Sequence, residues 1–85
     1  MIACSYTTPM LPEFGGDATR MLSHACGVIN LEMARSGAAG AAITDFRLER
    51  DVKGDLCASI DATPGNAPLT VGRLREWNQE QRARR

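Results

Sequence analysis

The chain is poor in the residues that do chemistry. Its 85 residues include one histidine, His24, and three cysteines, Cys4, Cys26 and Cys57, with no CxxC pair among them. Enzymes bring titratable groups together and tune them, and no such spacing is visible here, so turnover is not the expected activity. Aromatic residues are equally scarce: Tyr6, Phe14, Phe46 and Trp77 are all of them. Lysine is nearly missing, since nine of the ten basic residues are Arg and Lys53 stands alone. No apolar run approaches the ~20 residues a membrane span needs. The start Met1-Ile2-Ala3-Cys4 ends like a lipoprotein cleavage site but lacks the charged and apolar regions that must precede one.

The missing cysteine pairs bound the compartment. An odd, scattered set argues for reduced thiols in a cytosol, not for a disulfide scaffold; the expected localisation is cytoplasmic. Three Cys and one His could by count complete a tetrahedral zinc site. No two of them have the short loop spacing that structural zinc sites favour, so no metal or cofactor is expected. His24 and Cys26 are too close in sequence to form a dyad on a helix, where positions two apart point roughly 200° apart. Asp51 and Asp55, with Glu49 nearby, read as turn chemistry; a calcium loop needs a longer ladder of ligands. Gly15-Gly16-Asp17 is no phosphate loop, and its acidic cap argues against an anion there.

What is present suits one small domain spanning residues 1–85. The apolar fraction of 44% is ordinary for a globular chain and too high for disorder. Much of it is Ala, so the core is small and the stability modest. Charge is unevenly spread. Residues 1–61 carry five basic and eight acidic groups, a net of −3, and residues 62–85 carry five basic and two acidic, a net of +3.

Periodicity gives the element order. Ile2, Cys4 and Tyr6 alternate over residues 2–7 and predict a first strand. Residues 8–16, with Pro9, Pro12, Gly15 and Gly16, predict a loop. Asp17 is a good helix N-cap; Ala18, Leu22, Ala25, Ile29 and Met33 then recur at helical spacing, widened by Met21, Cys26 and Val28. That helix runs to about Ser36 and stops at Gly37. Gly27 interrupts it at a cost of about 1 kcal/mol against Ala. A hairpin follows. Ala42, Thr44, Phe46 and Leu48 face one side in its first arm; Leu56, Ala58, Ile60 and Ala62 do so in its second. Val52-Lys53-Gly54 forms a three-residue loop with Gly54 left-handed. Pairing Asp51 with Asp55 puts Leu48 opposite Ala58 and Phe46 opposite Ile60, so turn and pattern agree on the register. Asp45 then opposes Asp61, a mild repulsion. Residues 63–68 break the strand, Thr70 caps a last helix with Leu69 and Leu74 as a hydrophobic staple, and the basic end at about 82–85 frays. The expected fold is α+β: a two-layer β-α-β-β-α sandwich, a three-stranded, mainly antiparallel sheet with two helices on one face. It resembles a split β-α-β unit without its closing strand, an arrangement that leaves an open sheet edge.

The expected work is therefore contact. Arg73, Arg75, Trp77 and Arg82 on the last helix, and Asp45, Arg47 and Glu49 on the outer face of the hairpin, are the candidate partner-binding residues. Arg suits bidentate and stacked contacts at interfaces. The segment Met10-Leu11-Pro12-Glu13-Phe14 either covers one end of the core or serves as a stiff knob, and Ile43 reads as an apolar residue on a polar face. The leading expectation is a non-enzymatic inhibitor or modulator that occludes a surface of a larger protein complex. Small α+β chains of this kind are often encoded by phages or mobile elements and many act on host machinery, CRISPR defence included, an analogy of size and style. The alternatives are a nucleic-acid-binding regulator using the Arg/Trp helix, weighed against by zero net charge, and a homo-oligomeric subunit or homodimer joined through open strand edges. No membrane partner is expected.

Overall fold

The computed structural model describes residues 3–84. The elements are β1 (Cys4–Pro9), a 3-10 turn (Pro12–Phe14), α1 (Ala18–Arg35), β2 (Gly40–Arg50), β3 (Leu56–Gly65) and α2 (Val71–Ala83). The sheet order is β1-β3-β2, and both pairings are antiparallel. β1 and β2 therefore run parallel to each other with β3 between them, and α1 links them. This is the expected split β-α-β arrangement in an α+β fold, with the expected element order.

The helix caps are those the sequence signals. Asp17 Oδ1 accepts from the Thr19 N–H at 2.9 Å, and Thr70 Oγ1 accepts from the Arg73 N–H at 3.2 Å, each satisfying a donor that has no partner inside its helix. After α1 the chain reverses through Gly37 at φ 85°. Gly27 has nothing near the place a Cβ would occupy, so no close approach within the chain explains it.

β2 and β3 run longer than expected, and β1 is displaced. It spans Cys4–Pro9, so Thr8 and Pro9 belong to the strand and not to the loop expected over 8–16. Ala3 is not strand, and Ile2 lies outside the described residues. The Met10 N–H donates to Leu56 O at 3.0 Å, which sets the phase of the ladder. Even residues of β1 bond to β3, so the position of Pro9 faces the open edge, where a missing N–H breaks nothing. β2 begins at Gly40 and β3 ends at Gly65, with Ala41 opposite Pro64.

The hairpin register is as expected at its turn end: Leu48 pairs with Ala58, Phe46 with Ile60 and Asp45 with Asp61. Gly54 sits at φ 86°, and the Asp51 N–H donates to Asp55 O at 2.9 Å. Toward the other end the expectation fails. The ladder steps from Ile43↔Ala62 to Asp45↔Asp61, leaving Thr44 as a bulge. One extra residue reverses the parity of everything before it. Ala41 and Ile43 therefore face the helices, where Ala41 is buried and Ile43 packs against the core. Ala42 and Thr44 do not face inward as the alternation predicted, and Ile43 is not an outer-face residue.

One core fills the space between sheet and helices. Met21, Leu22, Ala25, Cys26, Ile29 and Met33 of α1 meet Ala41, Phe46, Ala58, Ile60 and Ala62 of the sheet, with Leu69 and Leu74 from the α2 side. Phe14 is buried and Met10 and Leu11 are partly buried against this cluster, so the proline-braced segment closes one end of the core instead of standing out as a knob. The chain after β3 crosses the start of β2 closely. The Ala41 N–H donates to Ala67 O at 3.0 Å, and at Gly40 a Cβ would collide with the Ala67 carbonyl.

Candidate functional site

The structure separates the two groups of candidate residues. Arg73, Arg75, Trp77 and Arg82 belong to α2, on the helical side of the sheet. Asp45, Arg47 and Glu49 lie on β2 and share the opposite, outer face with Asp61, Ser59 and Cys57, their cross-strand partners on β3. The two groups do not form one site.

On the helical side, a crevice of roughly 330 Å³ opens between α2 and the start of β2, lined by Ala42, Ile43, Arg73, Glu76, Trp77 and Glu80. Trp77 is half-buried, and Ile43 reaches this crevice because of the Thr44 bulge. Arg73 is partly exposed and bonds back to its own chain: its Nη1 donates to Ala67 O at 2.9 Å and to Pro68 O at 2.8 Å, tying the loop to α2. Arg75 Nη2 donates to Thr19 Oγ1 at 2.8 Å and ties α2 to the first turn of α1. The basic array expected around Trp77 is thus drawn apart, and Arg82 and Arg84 stand exposed in the last turn. Glu76 and Glu80 frame the crevice, which makes its rim more acidic than the α2 sequence suggests.

The outer face of the sheet is uncovered by any element among the described residues. Ser5 and Thr7 of β1 share it with Ser59 and Asp61 of β3 and with Asp45 and Arg47 of β2. Thr7 Oγ1 and Ser59 Oγ are 2.9 Å apart and hydrogen-bonded. Arg47 lies between two acids: its Nε is 3.2 Å from Asp45 Oδ2 and its Nη1 is 3.7 Å from Glu49 Oε1. The guanidinium offsets the charge of Asp45, which faces Asp61 across the ladder. These exposed pairs add little stability, since charges in water gain ~0–1 kcal/mol from meeting; they leave an alternating row of charge on the exposed face. Thr7 and Ser5 were not legible as members of this face, because β1 had no assigned place in the sheet.

The titratable groups inside do not converge. His24 Nε2 is 3.1 Å from Tyr6 Oη, and its ring stacks obliquely on Phe14 at 5.3 Å. Cys26 is buried, and burial pushes its thiol up to about 11, partly opposed by the positive charge of Arg73. Cys4 is also raised above its ordinary value, by burial first and by the Glu32 carboxylate second. A thiol held protonated is a poor nucleophile and a poor metal ligand. Among the described residues no three His, Cys, Asp or Glu side chains gather where they could hold a metal ion, and no helix is long and apolar enough to cross a membrane.

Neither a protein-family model, nor a curated protein, nor a solved structure matches the chain.

Proposed function

We propose that the chain is a small protein-binding module that works through its exterior, occluding or bridging a surface of a larger protein assembly and modulating or inhibiting it. The observation that carries this reading is the open outer face of the sheet. Both helices pack on the other side, so a flat surface of short polar side chains crossed by the Asp45–Arg47–Glu49 row is left to solvent. Short side chains on a rigid sheet lose little entropy on docking, and an alternating charge row gives register and selectivity. The protonated Cys26 and the tyrosine-bound His24 support a role without turnover. The nucleic-acid alternative has less support, because Arg73 and Arg75 are engaged by the chain's own carbonyls and hydroxyl.

The test is capture of a partner by tagged protein, followed by reconstitution with the purified partner. Arg47→Glu combined with Glu49→Lys reverses two of the row's three charges, both at exposed positions. The doubly reversed protein is expected to keep its circular dichroism and melting temperature and to lose the partner. Unchanged binding by a folded variant rejects the outer face. Binding that falls by orders of magnitude between 50 and 200 mM salt, the range over which phosphate contacts are lost, points instead to nucleic acid.

A further inference from the structure

The two edges of the sheet are finished differently. β2 carries Arg47, Glu49 and Arg50 along its length, is interrupted by the bulge at Thr44, and is crossed at its start by the loop whose Ala67 carbonyl accepts from the Ala41 N–H. Charges, a bulge and a covering loop are among the devices that keep an edge from pairing. β1 has none of these three, and its one blocking residue is Pro9 at its end. Its sequence, Cys-Ser-Tyr-Thr-Thr-Pro, is uncharged, its pairing with β3 is unbroken in register, and no described strand lies beyond it. Because the even residues of β1 bond to β3, the N–H and C=O groups of Ser5 and Thr7 point to the open side. Pro9, next in that series, offers no N–H there.

We propose that a second copy of this chain occupies the β1 edge. The two β1 strands pair antiparallel about a two-fold axis at Tyr6 and double the three-stranded sheet. In that register Ser5 of each copy faces Thr7 of the other, and each pair exchanges both of its N–H···O=C bonds. The Tyr6 side chains meet at the axis on the helical face, where close cross-strand aromatic pairs are favourable. Shifting the register to pair Ser5 with Pro9 loses a donor on both sides.

The flank of α1 above β1 carries a charge order that fits a second copy in particular. That this flank overhangs β1 follows from His24 reaching Tyr6 and from Glu32 bordering a surface hollow with Cys4 and Ser5. Along it, Asp17, Arg20, His24, Val28, Glu32 and Arg35 succeed each other at helical spacing, symmetrically about Cys26. Within one chain these charges pair locally, Arg20 with Asp17 at 4.0 Å and Arg35 with Glu32 at 2.9 Å. A two-fold axis reverses the order, bringing Asp17 toward Arg35 of the other copy and Arg20 toward Glu32, while the antiparallel helices oppose their dipoles. Leu31, 54% exposed, and the partly buried Val28 supply apolar contact on the same flank. An unrelated extended peptide would find the same backbone groups but not the reciprocal charges.

Sedimentation of the intact chain from about 1 μM to about 1 mM, a span that covers weak to moderate dimers, tests this. A mass of twice the 9.2 kDa chain is expected within that range. Thr7→Pro removes an edge donor that no β3 group uses, and Leu31→Arg puts a charge on the flank. Each is expected to weaken association by about 100-fold, the order of two lost backbone bonds or a buried unpaired charge. Val52→Asp, at the fully exposed hairpin tip, is expected to change nothing. If Thr7→Pro fails to fold by circular dichroism, Leu31→Arg and hydrogen exchange decide. The Ser5 and Thr7 amides of the unaltered chain should exchange more slowly as its concentration rises. A single-chain mass throughout the range overturns the proposal. So does a dimer whose dissociation constant is untouched by Leu31→Arg and whose Ser5 and Thr7 amides exchange at a rate independent of concentration.

Discussion

Asn30 and Leu69 hold each other at both ends of one peptide-like pair. Asn30 Nδ2 donates to Leu69 O at 2.9 Å, and the Leu69 N–H donates to Asn30 Oδ1 at 2.7 Å. Asn30 sits inside α1, where Asn has no intrinsic advantage, and Leu69 lies just before the Thr70 cap of α2. The amide therefore acts as a short length of strand that fixes where α2 begins. Asn30→Ala leaves two polar groups of a buried residue without partners. It is expected to cost about 2–3 kcal/mol in urea unfolding. Asn30→Asp keeps the acceptor but sets a carboxylate against the Leu69 carbonyl, so it should be at least as damaging. A midpoint for either variant matching that of the unaltered chain would contradict this role.

The two glycines Gly40 and Gly27 predict opposite responses to the same substitution. At Gly40 an added Cβ meets the Ala67 carbonyl and the Pro68 nitrogen, both backbone atoms of the crossing that leads to α2. Gly40→Ala should move that crossing or unfold the chain, with a loss above about 3 kcal/mol, the scale of overpacking with backbone displacement. At Gly27 the space is open and the helix gains from a better former. Gly27→Ala should raise stability by about 0.5–1 kcal/mol. Thermal or urea unfolding of the two variants side by side checks both signs.

What the sequence made legible follows from where local rules and tertiary structure agree. The hairpin register could be read because Gly54, the Asp51 and Asp55 pair and the alternation around Phe46 and Ile60 all require the same pairing. The caps Asp17 and Thr70 act within their own helices and need no distant partner. The bulge at Thr44 could not be read, since Ala42-Ile43-Thr44 continues a plausible alternation and nothing local marks an extra residue. That one position sent Ile43 to the wrong face and hid the crevice beside Trp77. The placement of the Arg side chains around Trp77 was illegible for a different reason. Arg73, Arg75 and Trp77 are close in sequence, but a long guanidinium goes to whichever carbonyl or hydroxyl the tertiary fold brings near. For Arg73 that is the 67–68 loop and for Arg75 it is Thr19. The outer-face group Asp45, Arg47 and Glu49 was legible because strand alternation alone places it together.

Arg73 should thus behave as a structural residue and Arg82 as a surface one. Arg73→Ala frees the Ala67 and Pro68 carbonyls and detaches the crossing from α2, with an expected loss of about 1–2 kcal/mol. Arg73→Lys should recover part of the loss, because both bonds leave one nitrogen, Nη1, and an ammonium with three N–H donors can serve two carbonyls. Arg82→Ala, in an exposed last turn, should stay within about 0.5 kcal/mol of the parent. Equal melting temperatures for Arg73→Ala and Arg82→Ala would show that the guanidinium is not holding the loop.

Cys26 makes stability depend on pH on the alkaline side. Its thiol titrates near 9.0 when the chain is unfolded and at about 11 in the fold, because burial disfavours the thiolate. The folded state then binds the proton more tightly than the unfolded state does. The stability this represents is complete below about pH 9 and is lost as the pH rises through 11, at most about 2–3 kcal/mol for two pH units. Cys4, raised for the same leading reason, acts in the same direction. Urea midpoints taken between pH 8 and pH 11 should fall for the unaltered chain and fall less steeply for Cys26→Ala. That variant pays a constant cost for the removed sulfur but has no thiol to ionise at this position. Identical slopes for the two proteins across that window would mean that the Cys26 thiol is as well solvated in the fold as in the unfolded chain.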